Sequence, residues 1–496
     1  MSWSPGFIAA LAAGGPMTWR VRTILLGSEA TFNDTYTMTS GVAIGEEDPI
    51  LAPGGPSIQG STMNIDSWSA TLGGMSFPLS GDLTRFRQNI TRGTAVEVFL
   101  SIGGYLERVN IGRVTQVSSR KGVVTMDISD ALALLDARSI ATGDQFSLFY
   151  DVGSTTTLTA DYAVADGTVN VTATSAFGCE TGGTGAIQIG DFYLSYTGSS
   201  STTFTGVSPA GQFWTTAATA TTGDTVTEVA LLKGHPLDIA MRLITSTGAG
   251  TNGSYDDYPA SWGYGLTNGI IDVDDIEAER DNVMTANYGA HTVSVVVSEP
   301  QDAPRTWMLG WLAAMGVVPV LRQGSLSFRA FSTQAGKTRG TVLTITDAMI
   351  DPSVGISSQW FNSQTPVEYG LVEVYSNGVP LGDSAEDYAT LPGGDTKRYD
   401  LQAISYDNVG GVAEDVHDRL YKAAKRIGEV LTLPLSGMEA WQVCPGDMVL
   451  VKSSAAGLRM SYAGLGRDCW VLEVQPDPRA FRVTLKVVSF PSEDPF

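Results

Sequence analysis

The sequence predicts a mainly β chain with some α-helix, divided into several domains. The chain has 496 residues, which is more than one hydrophobic core normally holds. Hydrophobic residues make up 43% of it and charged residues only 17%, so apolar material suffices for packed cores. The 56 glycines favour many short strands joined by tight turns.

The first predicted domain covers residues 1–138. The apolar segment from Phe7 to Ala13 is interpreted as an opening helix rather than a secretory signal, because no basic residue precedes it. Near the end of the domain, Ser129 or Asp130 would cap a short helix. Between them we predict a strand and a meander: Ala95 to Leu100, Tyr105 to Val109, Ile111 to Val117 and Val123 to Ile128, with turns at Gly103-Gly104 and Lys121-Gly122.

Residues 139–232 are predicted to form a compact all-β insertion. No Lys or Arg occurs between Ser139 and Leu232, and the stretch is rich in Thr and Gly. β-Branched Thr favours strands, and pairs such as Asp166-Gly167 mark turns. A disordered linker is the alternative, and the apolar patterning of Phe192 to Tyr196 argues against it.

Residues 233–365 are predicted to form a mixed α/β domain. A helix should run from Leu237 to Ile244, with Pro236 in its first turn. The other predicted elements are a strand from Thr292 to Ser298, a helix from Thr306 to Met315, and a hairpin of Val317 to Val320 and Ser325 to Arg329 around a turn at Arg322 to Gly324.

Residues 366–496 are predicted to form a last β domain that contains one helix. The strand from Val367 to Tyr375 is followed by Asn377-Gly378, a strong hairpin signal. The helix, Val412 to Val430, has basic residues near its C-terminal half, where the helix dipole favours them. The remaining strands are Leu431 to Leu435, Met448 to Val451 after a turn at Cys444 to Asp447, Cys469 to Val474 and Phe481 to Val488.

The net charge is −22, with an isoelectric point near 4.4. Binding DNA without sequence preference requires Lys and Arg against phosphates, so this charge argues against it. An acidic wall would instead repel passing DNA and let it slide. No run of about 18 apolar residues occurs, so no membrane span is expected.

Cysteines and histidines give no sign of a metal centre. The cysteines are widely spaced, which fits a reducing cytoplasm, although a bridge between the second and third is left open: Cys179, Cys444 and Cys469. The histidines have no zinc-ligand spacing, and each is interpreted as an ordinary polar or capping residue: His235, His291 and His417.

Catalytic motifs are also missing from the sequence. There is no Gly-x-Ser-x-Gly elbow, and Gly336-Lys337-Thr338 lacks the first glycine of a phosphate-binding loop, since Phe331 stands there. The acidic run from Asp272 to Glu279 could hold calcium, but its spacing better fits a helix N-terminus. We therefore predict no enzyme, no cofactor, and no catalytic, cofactor-binding or metal-binding residue.

An aromatic loop from Tyr255 to Tyr264 offers two interpretations. Its Tyr and Trp rings could stack on a sugar, and paired carboxylates for glycoside hydrolysis are easily found among 52 acidic residues. A surface loop packed on a neighbouring subunit explains the same residues and is preferred. This loop and residues 155–228, facing outward, are the segments expected to matter for assembly.

Two stretches of the first domain carry a family resemblance. Gly60 to Asp66, followed by Trp68 to Phe77, resembles the opening of many phage tail-tip proteins, in which a strand pair leads into a small-residue turn. Arg92 to Val114 and Gly122 to Asp130 resemble the first barrel of phage tail hubs, which has a strand ending at an acidic residue.

The insertion and the last domain extend the resemblance. Residues 155–228 are similar to a small β module of phage tail proteins, except that Ser208 to Gly211 replaces its usual Arg-Gly. The closing block resembles the last barrel of tail hubs, with a helix, Leu431 to Leu435, the Pro-Gly-Asp turn at Cys444 to Val451, and Trp470 to Val474.

The resemblance implies a structural role. Tail hubs are similar to one another in using two related barrels per chain, here residues 1–138 and 366–496. Three chains then form a ring of six barrels that joins a sixfold tail tube to threefold tip parts, and open strand edges can pair between subunits.

The implied partners and location follow from this family. We expect a homotrimer in the virion, assembled in the host cytoplasm, that contacts the tail tube or distal tail protein, the tape measure protein and tip or fibre proteins. DNA would pass through its lumen without specific binding. The alternatives are a distal tail or other tail-tip protein, a tail-associated glycan or peptidoglycan hydrolase, and a bacterial surface or secretion-related β protein.

Overall fold

The structure is a computed structural model that describes the chain in separate ranges. They are residues 3–24, 36–64, 69–136, 147–163, 166–178, 185–190, 192–209, 219–266, 269–285, 293–330, 340–359, 369–376, 379–380, 395–400, 404–406, 429–453 and 466–489. Strands in several sheets dominate these ranges and enclose more than one core, which confirms the predicted mainly β, multidomain class.

The first part of the chain is largely a sheet. Its elements are α1 (Pro5–Ala13), β1 (Thr18–Thr23), β2 (Thr37–Thr39), β3 (Ser57–Ile58), β4 (Ser61–Asn64), β5 (Ser69–Thr71), β6 (Met75–Leu79), α2 (Thr84–Asn89), β7 (Ala95–Ile102), β8 (Tyr105–Arg120), β9 (Val123–Ile128) and a 3₁₀ turn (Ala131–Asp136). Helix α1 is the predicted opening helix, capped by Ser4. Asp130 caps the 3₁₀ turn, since its Oδ1 accepts from Leu132 N at 2.8 Å.

Strand β8 differs from the prediction. The two strands expected at Tyr105 to Val109 and Ile111 to Val117 are one continuous strand, because a bulge in the pairing with β7 absorbs the irregularity. The turns were predicted correctly. Gly103-Gly104 and Lys121-Gly122 both have two consecutive positive φ angles, as in a type I′ two-residue hairpin.

The first sheet has the strand order β2-β1-β7-β8-β9-β6-β3. Within the described ranges this path is open, so barrel closure stays a prediction for this domain. Residues 48–52 nevertheless link distant strands of the sheet. Asp48 N donates to Thr37 O of β2 at 2.9 Å, and Ala52 N donates to Pro78 O of β6 at 2.9 Å.

The insertion is all β, as predicted. Its strands are β10 (Thr155–Thr157), β11 (Tyr162–Ala163), β12 (Thr168–Asn170), β13 (Gly185–Ile189), β14 (Phe192–Tyr196), β15 (Gly198–Ser199), β16 (Thr203–Thr205), β17 (Ser208–Pro209), β18 (Thr219–Ala220) and β19 (Thr225–Gly234). One hydrophobic core of the described residues lies between Leu158 and Val226. Ala186 and Val229 form a smaller buried cluster with Val296 of the next part of the chain. Strand β19 runs through the expected boundary at residue 232.

The middle part is mixed α/β, and it continues the sheet of the insertion because β20 pairs with the second half of β19. Its elements are α3 (Pro236–Thr245), α4 (Val273–Glu279), a π-helical turn (Arg280–Thr285), β20 (Val293–Val297), α5 (Pro304–Ala314), β21 (Val317–Arg322) and β22 (Ser325–Ala330). The two long helices and the hairpin lie where the apolar spacing predicted them.

The last part returns to strands. They are β23 (Leu343–Thr346), β24 (Ser357–Gln359), β25 (Tyr369–Ser376), β26 (Val379–Pro380), β27 (Asp395–Asp400), β28 (Ile404–Tyr406), β29 (Glu429–Ser436), β30 (Met448–Lys452), β31 (Arg467–Asp477) and β32 (Arg482–Ser489), with 3₁₀ turns at Asp347–Met349 and Glu439–Gln442. The helix predicted at Val412 to Val430 lies outside the described residues, except that Glu429 and Val430 belong to β29.

The last sheet repeats the connectivity of the first. In the first sheet, β7, β8 and β9 form an antiparallel meander, β6 pairs with β9, and β3 pairs with β6. In the last sheet, β30, β31 and β32 form the meander, β29 pairs with β32, and β24 pairs with β29. The chain therefore contains the same five-strand arrangement twice.

The two sheets are joined as well as alike. Strand β4, from the first part of the chain, pairs with β31 of the last sheet, with Thr62 opposite Glu473. One hydrophobic core contains buried side chains from both sheets, including Trp19 and Phe77 from the first and Val471 and Leu485 from the last. Helix α1 contributes Phe7 to this core.

Candidate functional site: a buried junction hairpin

The hairpin of β21 and β22, residues Val317–Ala330, lies where the parts of the chain meet, and we call it the junction hairpin. Its turn residues Gln323 and Gly324 have φ angles of 48° and 79°. A Cβ on Gly324 would approach the carbonyl oxygen of Arg108 in β8 to 2.5 Å, so only glycine fits there. Gln323 also contacts the first part of the chain, since its Oε1 accepts from Trp3 N at 2.6 Å.

Two arginines of the junction hairpin bind two aspartates from different parts of the chain. Arg329 donates to Asp275 Oδ2 at 2.7 Å and to Asp447 Oδ1 at 3.1 Å. Arg322 contacts Asp275 Oδ1 at 3.2 Å and Asp447 Oδ1 at 3.2 Å. The side chains of Arg329 and Asp447 are 2% and 0% exposed, so the network is buried.

The acidic run and the Pro-Gly-Asp turn, which the sequence presented as separate features, meet in this network. Asp275 and Glu279 belong to the run, and the Glu279 carboxylate accepts from Ala330 N at 2.6 Å. Asp272 caps α4 by accepting from Asp275 N, as predicted for a helix N-terminus. Asp447 also closes its own turn, because its Oδ2 accepts from Cys444 N at 3.0 Å.

The electrostatics of the network keep its carboxylates ionised and its guanidinium groups protonated. Burial opposes ionisation of Asp275, but the charges of Arg329 and Arg322 outweigh it and lower the pKa of Asp275 to about 2. Burial also disfavours the charged form of Arg329, yet the surrounding acids keep its pKa well above the usual range. These ion pairs hold the middle and last parts of the chain together at neutral pH.

Cys444 adjoins the network but is poorly suited to nucleophilic chemistry. Burial, reinforced by the negative charge of Asp447, raises the pKa of its thiol to about 12. Because of this high pKa, the thiol stays protonated near neutral pH. Only the thiolate is a strong nucleophile, so Cys444 is unreactive under these conditions. Cys444 and Cys469 are both buried and are not joined by a disulfide, which answers the open question of a bridge between them, and Cys179 lies outside the described residues.

A second charged cluster ties the first sheet to the junction hairpin. Arg108 Nη1 contacts Glu97 Oε1 at 2.7 Å, and Arg22 contacts the other oxygen of Glu97 at 2.6 Å. Nη2 of Arg108 donates to Ser325 Oγ at 2.6 Å and also to the carbonyl oxygen of Gly269. The junction hairpin thus contacts the first, middle and last parts of the chain.

Sequence reasoning did not find the two central arginines. It placed Arg322 and Arg329 in a hairpin without assigning either a role. The available signal was a charge within Ser325 to Ala330, a strand whose residues are all buried. A buried arginine requires a carboxylate partner, but the sequence could not indicate which of 52 acids supplies it.

The aromatic loop packs inward over much of its length. Trp262 and Tyr264 are 2% and 4% exposed and belong to the main core of the middle part. Burial and a hydrogen bond to Glu277 raise the pKa of Tyr255 to about 12. Asp256 accepts from both the backbone and the hydroxyl of Thr247 at 2.6 Å, which fixes the loop. Trp262 and Tyr264 are therefore not presented for sugar stacking.

The remaining predicted features are ordinary. His235 caps α3, with its Nδ1 accepting from Leu237 N at 3.2 Å, while His291 and His417 lie outside the described residues, as does Gly336 to Thr338. In the described part of the chain, no group of three or more His, Cys, Asp or Glu side chains is arranged to hold a metal ion. Within the same ranges, no helix is long and apolar enough to cross a membrane.

Comparison with known proteins gives matches among solved structures only. No protein-family model and no curated protein sequence matches the chain. The 43 kDa tail protein of prophage MuSo2 from Shewanella oneidensis is 12% identical, with 96% of this chain and 98% of that chain covered and a TM-score of 0.36. A tail protein from Neisseria meningitidis MC58 is 10% identical, with coverages of 96% and 97% and a TM-score of 0.39.

A third solved structure is also a tail protein. Prophage tail protein gp18 from Listeria monocytogenes EGD-e is 9% identical, with 96% of this chain and 95% of that chain covered and a TM-score of 0.38. Two of these three structures are of prophage tail proteins, and the other is of a tail protein.

Proposed function

We propose that this chain is a structural subunit of a phage tail tip, a tail hub or baseplate hub, and not an enzyme. The observation that carries the proposal is the repeated connectivity of the first and last sheets, which share one core within a single chain. A chain with two similar sheets presents two similar surfaces to its neighbours.

The repeated sheets suit a ring of three chains. Three copies would present six similar sheets, so one face of the ring can contact a sixfold tail tube. The ring itself has threefold symmetry, so its other face can contact threefold tip proteins. Closed rings arise when each copy uses one surface to contact a different surface of the next. The tail tube or distal tail protein and the tape measure protein would lie on one side, and tip or fibre proteins on the other.

The junction hairpin supports a structural role within such a ring, because its ion pairs fix parts of the chain relative to one another. Its arginines are engaged by Asp275 of the middle part and Asp447 of the last part, and the adjacent thiol is held protonated. Groups used in this way stabilise the relative position of the end sheets. They are poorly placed to exchange protons with a substrate.

The net charge of −22 fits a passage for DNA. A ring lined by acidic residues would repel the phosphate backbone, so DNA could slide through the lumen without specific binding. The subunit would be assembled in the host cytoplasm, where free thiols such as Cys444 persist, and would function in the virion.

The mass of the purified chain in solution tests this proposal. Native mass spectrometry should give about 157 kDa, three times the 52.4 kDa chain, and electron microscopy should image a ring. A chain that stays monomeric at high concentration and also with its tail partners would contradict the ring. Release of sugars from peptidoglycan by the pure chain would instead favour a hydrolase.

A further inference from the structure

The second half of strand β8 has one open edge. Strand β7 covers β8 only as far as Arg113, and the last contacts on that side are backbone bonds between Val114 and residues 93–94. From Gln116 to Arg120, β8 pairs with β9 on its other side, and no described strand lies along the open edge. Val117 on this edge is 42% exposed.

The equivalent edge in the last sheet is covered. Strand β31 corresponds to β8 in the repeated connectivity. The pairing of β8 with β9 shifts register at Val114/Gln116, and the pairing of β31 with β32 shifts at Val471/Glu473. Aligning these shifts makes Gln116 and Val117 equivalent to Glu473 and Val474. Strand β4 pairs with Glu473 and Val474, and Val474 is only 4% exposed.

The covering strand comes from a defined place in the repeat. Strands β4 and β5 form a hairpin between β3 and β6. The equivalent place in the last sheet is between β24 and β29, where the chain holds the sheet β26-β25-β27. Among the described residues, that small sheet pairs with no other strand, so its outer edges are available for pairing.

We propose that the open edge of β8, Gln116 to Arg120, is covered by the β25–β27 sheet of a second copy of this chain. Within one copy, the first part covers the last sheet through β4. Between copies, the last part covers the first sheet in the same manner. This inference rests on the trimeric ring proposed above, and it supplies a contact between two different surfaces, which closes a ring when neighbouring copies are related by a threefold rotation.

Two exposed valines of the β8–β9 hairpin allow a matched test. Val117 lies on the open edge, and its equivalent Val474 is buried under β4. Val123 is 51% exposed on the neighbouring strand, opposite Arg120. Its equivalent is Arg482, opposite Asp477, so the repeat already accepts a basic residue at that position.

The experiment compares Val117→Lys with Val123→Lys in the full chain, with oligomer mass measured over a dilution series. A lysine on a strand edge opposes pairing, so Val117→Lys should raise the dissociation constant of the trimer roughly tenfold or more. Val123→Lys should leave it within about twofold. Hydrogen exchange of wild type should also slow in peptides covering 114–120 and 395–400 as the trimer forms.

The outcomes separate the two proposals. A trimeric wild type that is equally stable with Val117→Lys would overturn the β8 contact and leave the ring intact. A wild type that remains monomeric throughout the dilution series, and also with its tail partners, would overturn the ring and this contact together. If Val117→Lys does not fold, hydrogen exchange of the wild-type chain tests the contact instead. Equal exchange rates for residues 114–120 in monomer and trimer would refute it.

Discussion

At the residue scale, the junction network shows what one buried charge requires. Arg329 lies in a strand whose residues are all buried, and it is stabilised only because Asp275 and Asp447 neutralise it from two directions. Removing one partner of such a network leaves an uncompensated buried charge, which is more harmful than losing a surface pair.

Replacing Arg329 with Met should therefore destabilise the junction strongly. The aspartates would lose their main partner, and we expect a loss of about 3–5 kcal/mol. Arg305→Ala is the control, since the Arg305–Asp136 pair is 36% and 48% exposed and should contribute less than about 1 kcal/mol. Urea unfolding measures both, and equal effects would disprove the special role of the network.

The same network predicts acid sensitivity. The pKa of Asp275 is lowered to about 2 in the folded chain, so its ionised form stabilises the fold above the unfolded pKa of 3.8. This stability, about 2 kcal/mol, is lost as the pH falls from about 4 towards 2. Protection factors of the amides in residues 443–452, which correct for the intrinsic pH dependence of exchange, should fall over that window in wild type. In Asp275→Asn the fall should be smaller, and an unchanged fall would contradict the assignment.

Residue-level prediction from sequence succeeded where the chemistry is local. The capping roles of Asp130, Asp272 and His235 depend on neighbours within three positions, so a short window of sequence contains them. The pairing of Arg329 with Asp447 joins positions 118 apart, and no local pattern encodes it.

At the element scale, the glycine-containing turns were the feature that the sequence predicted best. Each of the three two-residue turns, at Gly103-Gly104, Lys121-Gly122 and Gln323-Gly324, has two positive φ angles, and glycine at its second position relieves the strain. Apolar spacing likewise placed α3 and the junction hairpin. The single strand β8 was missed because a bulge interrupts the alternation without ending the strand.

Two of these turns provide a matched pair of substitutions. Gly122→Ala meets no atom within 4 Å, so it should cost only the backbone strain of about 1 kcal/mol. Gly324→Ala adds a clash with the carbonyl of Arg108 and should cost about 3 kcal/mol in total. Thermal unfolding of both variants gives the comparison, and a milder effect at Gly324 would exclude tight packing of the junction hairpin on β8.

At the scale of the whole molecule, composition and resemblance indicated the class but not how the parts join. The lack of Lys and Arg marked the insertion, and one hydrophobic core of the described residues lies wholly within it, while Ala186 and Val229 share a small buried cluster with Val296 of the middle part. The joining of the two end sheets through β4 brings together positions more than 400 apart, such as Thr62 and Glu473. Pairing over such a separation depends on the assembled fold rather than on local sequence.

The separate core of the insertion predicts that it can be removed. Thr157 and Thr225 face each other in the β10–β19 pair, so an Asn-Gly turn can replace residues 158–224. Val226 would lose its core partners and Val229 would lose Ala186, so Val226→Thr and Val229→Thr should accompany the deletion. The shortened chain should unfold within a few degrees of wild type and keep its oligomeric state, because both end sheets and the junction hairpin remain.

A point substitution in the insertion is the control for this deletion. Val169→Asp places a charge in the core of the insertion and should unfold it locally, while hydrogen exchange in β7 to β9 and β29 to β32 stays unchanged. Faster exchange in those end strands would mean that the insertion supports the rest of the chain. Because its core shares no buried residue with the core of the end sheets, we expect the two to unfold independently.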